Sequence, residues 1–321
     1  MNQENLVVKN NSADRPTVKD IQLWTALVTP LLPNGDIDFL SLTKVAQQQA
    51  DAGNGITLLG STGEGLSLTP DEQLSVVECI TKLSLDVPIM VAVGGYNLSA
   101  QLAWLEQCNN LAVSAYLLAS PIYAKPGVVG LTQWFNALLE QAQYPCMIYN
   151  VPSRSGVNIP VAAMQNIQHH KNCWAIKEAS GCLNTFLAFA QHCSMLEVFS
   201  GEDAMMPYLA GAGVKGLVSV AANVWPEATH RYVDLALQGE HQSLFPVWKN
   251  AVEALFQVAS PISTKVLMHQ KNILNYPTLR APLTEHELSA NNNLVDIDQQ
   301  INQWLEENKS LSDKKNIRGK A

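Results

Sequence analysis

The segment CWAIKEAS, residues 173–180, sets a lysine inside a run that otherwise reads as a buried strand. Lysine is among the residue types least often buried without a partner. Side chains alternate along a strand, so Ala175, Lys177 and Ala179 share one face, and Trp174, Ile176 and Glu178 share the other. The bulky face suits packing against outer helices. The lysine face has small neighbours, which leaves room beside the amine. Burial disfavours an ammonium, and a neutral amine attacks a carbonyl to form a Schiff base. A second account fits the same residue types: a structural lysine paired with a buried carboxylate such as Glu64. Other lysines are poorer nucleophile candidates. Lys125 lies in a loop, Lys215 precedes a strand, and Lys265 falls in a helical stretch.

Three further groups stand at the ends of apolar runs. GSTGEG, residues 60–65, is glycine-rich and carries two hydroxyls, Ser61 and Thr62. Turns of this type present consecutive backbone N–H groups to a small anion such as a carboxylate. It lacks the Lys-Ser or Lys-Thr of a nucleotide-binding loop, and an ordinary tight turn is the plainer account. Tyr149 precedes the rigid Asn-Val-Pro turn of YNVPSRSG, residues 149–156. A phenol beside a Schiff base shuttles protons; a core tyrosine with a satisfied hydroxyl is the alternative. Arg154 offers a planar fork to a second carboxylate, or lies on the surface. Together these groups describe a site for a small keto acid. No metal, nucleotide or flavin motif competes, and the adjacent His169 and His170 lack the spacing of metal ligands.

The elements that must hold these groups are legible as eight short apolar runs: 23–29, 56–60, 89–94, 114–119, 146–150, 174–178, 196–200 and 216–220. Each is strand-length and bounded by Gly, Pro, Asn or Ser. Their nearly continuous apolarity fits strands buried on both faces. Helical patterns lie between them. The clearest begins at TPDEQLSVVECITKL, where Thr69 is an N-cap, Pro70 fits the first helical position and Glu72 completes a capping box. This alternation predicts an α/β fold, a (β/α)8 TIM barrel. A doubly wound open sheet is the runner-up, but the first run is not followed by G-x-G-x-x-G. Residues 1–21 read as a polar N-terminal extension, 22–240 as the barrel, 241–308 as a C-terminal helical appendage, and 309–321 as a disordered tail. Barrel enzymes place their chemistry at the carboxyl ends of the strands, where Ser61, Thr62, Tyr149, Arg154 and Lys177 all fall.

Composition narrows the class. The 321 residues carry a formal net charge of −8 and are 47% hydrophobic. An acidic balance disfavours nucleic acid, which needs clustered Lys and Arg. No apolar run approaches the roughly 20 residues of a membrane span, and the polar N-terminus does not read as a secretory signal. The six cysteines form no C-x-x-C pair. Reduced thiols in a cytoplasmic protein are the expectation.

GSTGEG, YNVPSRSG and IKEASG, in this order and spacing, closely resemble the dihydrodipicolinate synthase / N-acetylneuraminate lyase family of class I aldolases. The similarity runs from about residue 22 to 240 and continues more loosely into the C-terminal helices. The resemblance implies a (β/α)8 barrel that binds pyruvate as a Schiff base on Lys177, without a cofactor or metal. It implies Tyr149 as proton donor and acceptor, Thr62 as a contact to the pyruvate carboxylate, and Ser61 in a proton relay. Serine there departs from the threonine usual in the synthases but keeps the hydroxyl. Tyr123 of SPIYAKP matches a relay tyrosine that crosses a dimer interface, which implies a homodimer or homotetramer. Val218 matches a backbone contact to pyruvate, and Gly201 of SGED falls among the substrate-binding positions. Arg154 matches the arginine that, in synthases, faces the carboxylate of L-aspartate 4-semialdehyde; lyases acting on sugar acids tend to differ there. An aldolase for N-acetylneuraminate or a 2-keto-3-deoxy sugar acid is the alternative. In lysine-inhibited members, a tyrosine, a glutamate and a histidine line an effector site. The matching positions here are Ile122, Gln101 and Gln73, with Asn97 kept, so weak or absent lysine feedback is expected.

Overall fold

The eight apolar runs pair edge to edge because each is too apolar to leave either face in water. In the computed structural model, which describes residues 16–240 and 244–318, they close into a parallel barrel in sequence order, with β1 hydrogen-bonded to both β2 and β8. The strands alternate with helices: β1 (Leu23–Ala26), α1 (Phe39–Asp51), β2 (Gly55–Leu58), α2 (Pro70–Lys82), β3 (Ile89–Val93), α3 (Leu98–Cys108), β4 (Ala115–Ala119) and α4 (Val128–Gln141). The second half follows as β5 (Cys146–Asn150), the single turn α5 (Pro152–Ser155), α6 (Val161–Ile167), β6 (Cys173–Glu178), α7 (Leu183–His192), β7 (Glu197–Ser200), α8 (Met206–Ala210), β8 (Gly216–Ser219) and α9 (Pro226–Leu237). Three further helices follow: α10 (Val247–Leu255), α11 (Ile262–Gln270) and α12 (Leu294–Arg318). The capping box of α2 forms as its sequence dictates, with Thr69 and Glu72 bonded reciprocally.

Two apolar regions result. The larger lies between strands and helices and takes one face of every strand, for example Ile56, Val91, Ile148 and Ile176. The smaller fills the barrel. Its large side chains, Trp24, Met90, Met147, Trp174 and Phe199, come from the early and middle positions of their strands. Alanines 26, 92, 119 and 179 come from the carboxyl ends or just beyond. Large residues therefore plug the barrel and small ones leave a hollow at its carboxyl end.

The structure corrects the alternation along β6. The register slips between Cys146 and Met147, so Cys146 pairs with Cys173 but Met147 pairs with Ala175. The extra residue turns Trp174 inward beside Ala175, where its ring meets Trp24 and Phe199 at centroid distances of 6.2 and 5.7 Å. From Ala175 onward the expected alternation holds. The helix α12 also runs beyond residue 308, where a disordered tail was expected. Lys309 explains part of this, since it pairs with Glu306 one turn back and with Glu227 on α9. Residues 319–321, and 1–15 of the N-terminal extension, lie outside the described residues.

Candidate active site

Each group singled out in the sequence is positioned by a strand end. Tyr149 and Lys177 are register partners on β5 and β6, and both face into the barrel. Lys177 is 6% exposed, and its Nζ stands 4.3 Å from the centre of the Tyr149 ring. The next register pair, Asn150 and Glu178, faces outward. Asn150 donates to Glu178 Oε2 (2.6 Å), while Glu178 Oε1 accepts from the Ser180 amide (2.7 Å). One residue pair thus braces the strands that carry the amine and the phenol.

Gly201 follows β7, and its place must stay glycine. A Cβ there would lie 2.5 Å from Ala179 Cβ and 2.8 Å from Lys177 Cε. Val218 lies on β8 within the same inner cluster. Ser219 and Asp203 join β7 to β8: the Asp203 carboxylate accepts from the Ser219 hydroxyl and from the amides of Val220 (3.0 Å) and Ala221 (3.3 Å). Burial pushes the Asp203 carboxyl up from its usual range, and these hydrogen bonds oppose the shift.

The GSTGEG turn is tight. Gly65 packs so closely on Leu59 that a Cβ would meet the Leu59 carbonyl oxygen at 2.0 Å. The Thr29 hydroxyl donates to the Gly63 carbonyl (2.7 Å), tying the turn to the segment that follows β1. Thr62 is buried and Ser61 partly so. A cavity of about 850 Å³ lies over the carboxyl ends of β2 to β5, and Ser61, Tyr149 and Arg154 line it. Arg154 sits on α5, and its Nη2 donates to the Ser260 carbonyl (3.4 Å).

Lys177 is not on the cavity wall, although the phenol it touches is. Tyr123 stands apart: it is 90% exposed, at φ +68°, and does not line the cavity. Gln73, Gln101, Asn97 and Ile122 do line it. The Gln73 amide already donates to the carbonyls of Gly65 (2.8 Å) and Leu68 (3.2 Å), and Asn97 caps α3.

The structural-cation account falls on a different lysine. Glu64 does pair with a buried lysine, but that lysine is Lys265, with Nζ to Oε1 at 2.5 Å. Sequence reading passed over Lys265 because its partner lies 201 positions away. Asn150, Glu178 and Asp203 were missed as well. Their signal is proximity: Asn150 and Glu178 directly follow Tyr149 and Lys177, and Asp203 lies two residues after Gly201.

Among the described residues, no group of three or more His, Cys, Asp or Glu is placed to hold a metal ion, and no helix is long and apolar enough to cross a membrane. All six cysteines are free. Burial pushes Cys108 and Cys173 up to about 12.

Comparison with known proteins bears on this geometry directly. The model of the dihydrodipicolinate synthetase family matches residues 20–301. A 4-hydroxy-tetrahydrodipicolinate synthase from Wolbachia pipientis wMel is 43% identical over 290 residues, which is 90% of this chain and 99% of the relative. Another from Francisella tularensis subsp. novicida is 43% identical over 285 residues, 88% and 97% of the two chains. The solved dihydrodipicolinate synthase from Acinetobacter baumannii, complexed with pyruvate, superposes with a TM-score of 0.79 at 26% identity, covering 90% of this chain and 99% of that one. With a closed eight-stranded barrel that brings its lysine, phenol and hydroxyl turn to one end, the chain belongs to the dihydrodipicolinate synthetase family.

Proposed function

We infer that the chain condenses pyruvate with L-aspartate 4-semialdehyde to give 4-hydroxy-tetrahydrodipicolinate, a lyase-type reaction of the diaminopimelate and lysine pathway. The observation that carries this reading is the buried Lys177 amine 4.3 Å from the Tyr149 ring at the carboxyl end of the barrel. Curated relatives with this name at 43% identity, and a pyruvate complex of the same fold, support it.

The Lys177 amine attacks the ketone carbon of pyruvate, and water leaves to give a ketimine. Loss of a methyl proton gives an enamine, whose carbon bonds to the aldehyde carbon of the second substrate; the aldehyde oxygen takes up a proton. The amine of that substrate then attacks the ketimine carbon and displaces Lys177, closing a six-membered ring. Tyr149 moves these protons, with Ser61 and Tyr123 as its relay. Thr62 holds the pyruvate carboxylate, with Gly201 and Val218 closing around the ketimine. Arg154 faces the carboxylate of the aldehyde substrate. The covalent bond to Lys177 supplies the electron sink, so no cofactor is invoked. The exposure of Tyr123 supports a homodimer or homotetramer in which Tyr123 reaches the site of a second copy. The cytoplasm is the proposed location, in keeping with six free thiols.

Lysine feedback is proposed to be weak. Ile122 offers no polar group at its position, and Gln73 is committed to two backbone carbonyls. A coupled assay of the purified protein tests both statements. Turnover of pyruvate with aspartate semialdehyde, no cleavage of N-acetylneuraminate, and an unchanged rate in millimolar lysine are expected. Sialate cleavage in place of condensation would overturn the substrate assignment, and strong millimolar inhibition the regulatory one.

A further inference from the structure

Glu64 belongs to the hydroxyl turn, yet its side chain leaves the turn and ends in the C-terminal region. Its backbone is left-handed at φ +53°, a conformation that costs a non-glycine residue energy and persists only where surroundings enforce it. The enforcing contacts are visible. Oε1 accepts from Lys265 Nζ on α11 at 2.5 Å, and Oε2 accepts from the Arg280 amide at 2.7 Å. Lys265 Nζ also donates to the Thr278 carbonyl at 2.9 Å. Both charged side chains are sealed from water, at 0% and 1% exposure. The Arg280 guanidinium reaches back to Glu72 at the start of α2 and to the Gly35 carbonyl (3.0 Å).

The same segment of chain touches the site a second time. The Ser260 carbonyl, two residues before α11, accepts from Arg154. Residues 260–280 thus contact both the turn that carries Ser61 and Thr62 and the arginine on α5. A buried ion pair is a poor device for stability, because desolvation offsets its attraction, but removing one partner leaves the other as an uncompensated buried charge. Burial here drives the Lys265 amine down while Glu64 drives it back up, so each charge needs the other.

We propose that Glu64 and Lys265 are positioning residues, a buried latch by which the C-terminal helices hold the Ser61–Thr62 turn in its working conformation. This rests on the reading that the turn binds pyruvate. Neither residue touches the substrate; each acts through the turn. Misplacement of a binding group by about 1 Å costs on the order of a hundredfold in rate, so loosening the latch is expressed at pyruvate rather than at the aldehyde.

Steady-state and trapping measurements on the full chain test this with four variants. Glu64→Gln and Lys265→Met each remove one charge. Lys271→Ala breaks the Lys271–Asp298 pair between α11 and α12, away from the turn, and controls for general loosening of the C-terminal region. Thr62→Val tests the turn itself. Glu64→Gln and Lys265→Met are expected to raise the pyruvate KM at least tenfold and to require correspondingly more pyruvate for borohydride trapping. Lys271→Ala is expected to lower Tm without moving the pyruvate KM. A Glu64→Gln or Lys265→Met protein with wild-type pyruvate KM and kcat overturns the latch. So does a Lys271→Ala protein that shifts the pyruvate KM as much. If Thr62→Val is also silent, it is the reading of the turn that fails; if Thr62→Val alone raises the pyruvate KM, only the latch does. Should either latch variant prove insoluble, the other carries the test, because Lys265→Met leaves Glu64 its bond from the Arg280 amide.

Discussion

Two lysines are buried among the described residues, and their neighbours give them different chemistry. Lys265 meets a carboxylate at 2.5 Å and a backbone carbonyl at 2.9 Å, so its protons are engaged. Lys177 stands over the Tyr149 ring, beside the small residue Gly201, and is not the lysine that pairs with Glu64. Arg154 is the residue proposed to separate the two substrates. Replacing it with alanine is expected to raise the KM for aspartate semialdehyde by roughly ten- to a hundredfold, since a bidentate contact to a carboxylate is lost. Pyruvate trapping on Lys177 should be unaffected. An equal loss at both substrates would contradict the assigned role. Lys177, Tyr149 and the hydroxyl turn were legible in the sequence because each interrupts or ends an apolar run. The identity of the lysine that pairs with Glu64 was not, because only tertiary packing brings residues 64 and 265 together.

At the scale of elements, every apolar run became a strand, with ends displaced by three residues at most. Length, apolarity and bounding turns sufficed for that. What they could not supply was the register slip on β6, because an inserted residue in a fully buried strand leaves the apolar pattern unchanged. Trp174 then joined Trp24 and Phe199 inside the barrel rather than the outer helices. The slip lies before Ala175, so the phase of Lys177 was preserved. The taper from tryptophan, methionine and phenylalanine to alanine toward the carboxyl ends of the strands has a functional consequence. It gives the chain a plugged barrel with a hollow mouth, and Lys177 stands where the taper reaches alanine.

For the whole molecule, the C-terminal region and the barrel meet at the site, through the buried Lys265 and through Ser260. The proposed relay role of the exposed Tyr123 makes a second copy the other contributor to be tested. Lys177→Ala and Tyr123→Phe chains are each expected to be nearly inactive, and mixing them should restore roughly a quarter of the wild-type rate by random pairing across a two-fold interface. Mixtures no more active than their parts would argue that Tyr123 serves its own subunit or none. The most direct test of the central claim is covalent. With pyruvate and borohydride, the intact protein should gain one reduced pyruvate adduct per chain, and peptide mapping should place it on Lys177. Recovery of unmodified Lys177, or an adduct on Lys265 or another lysine, would contradict the account.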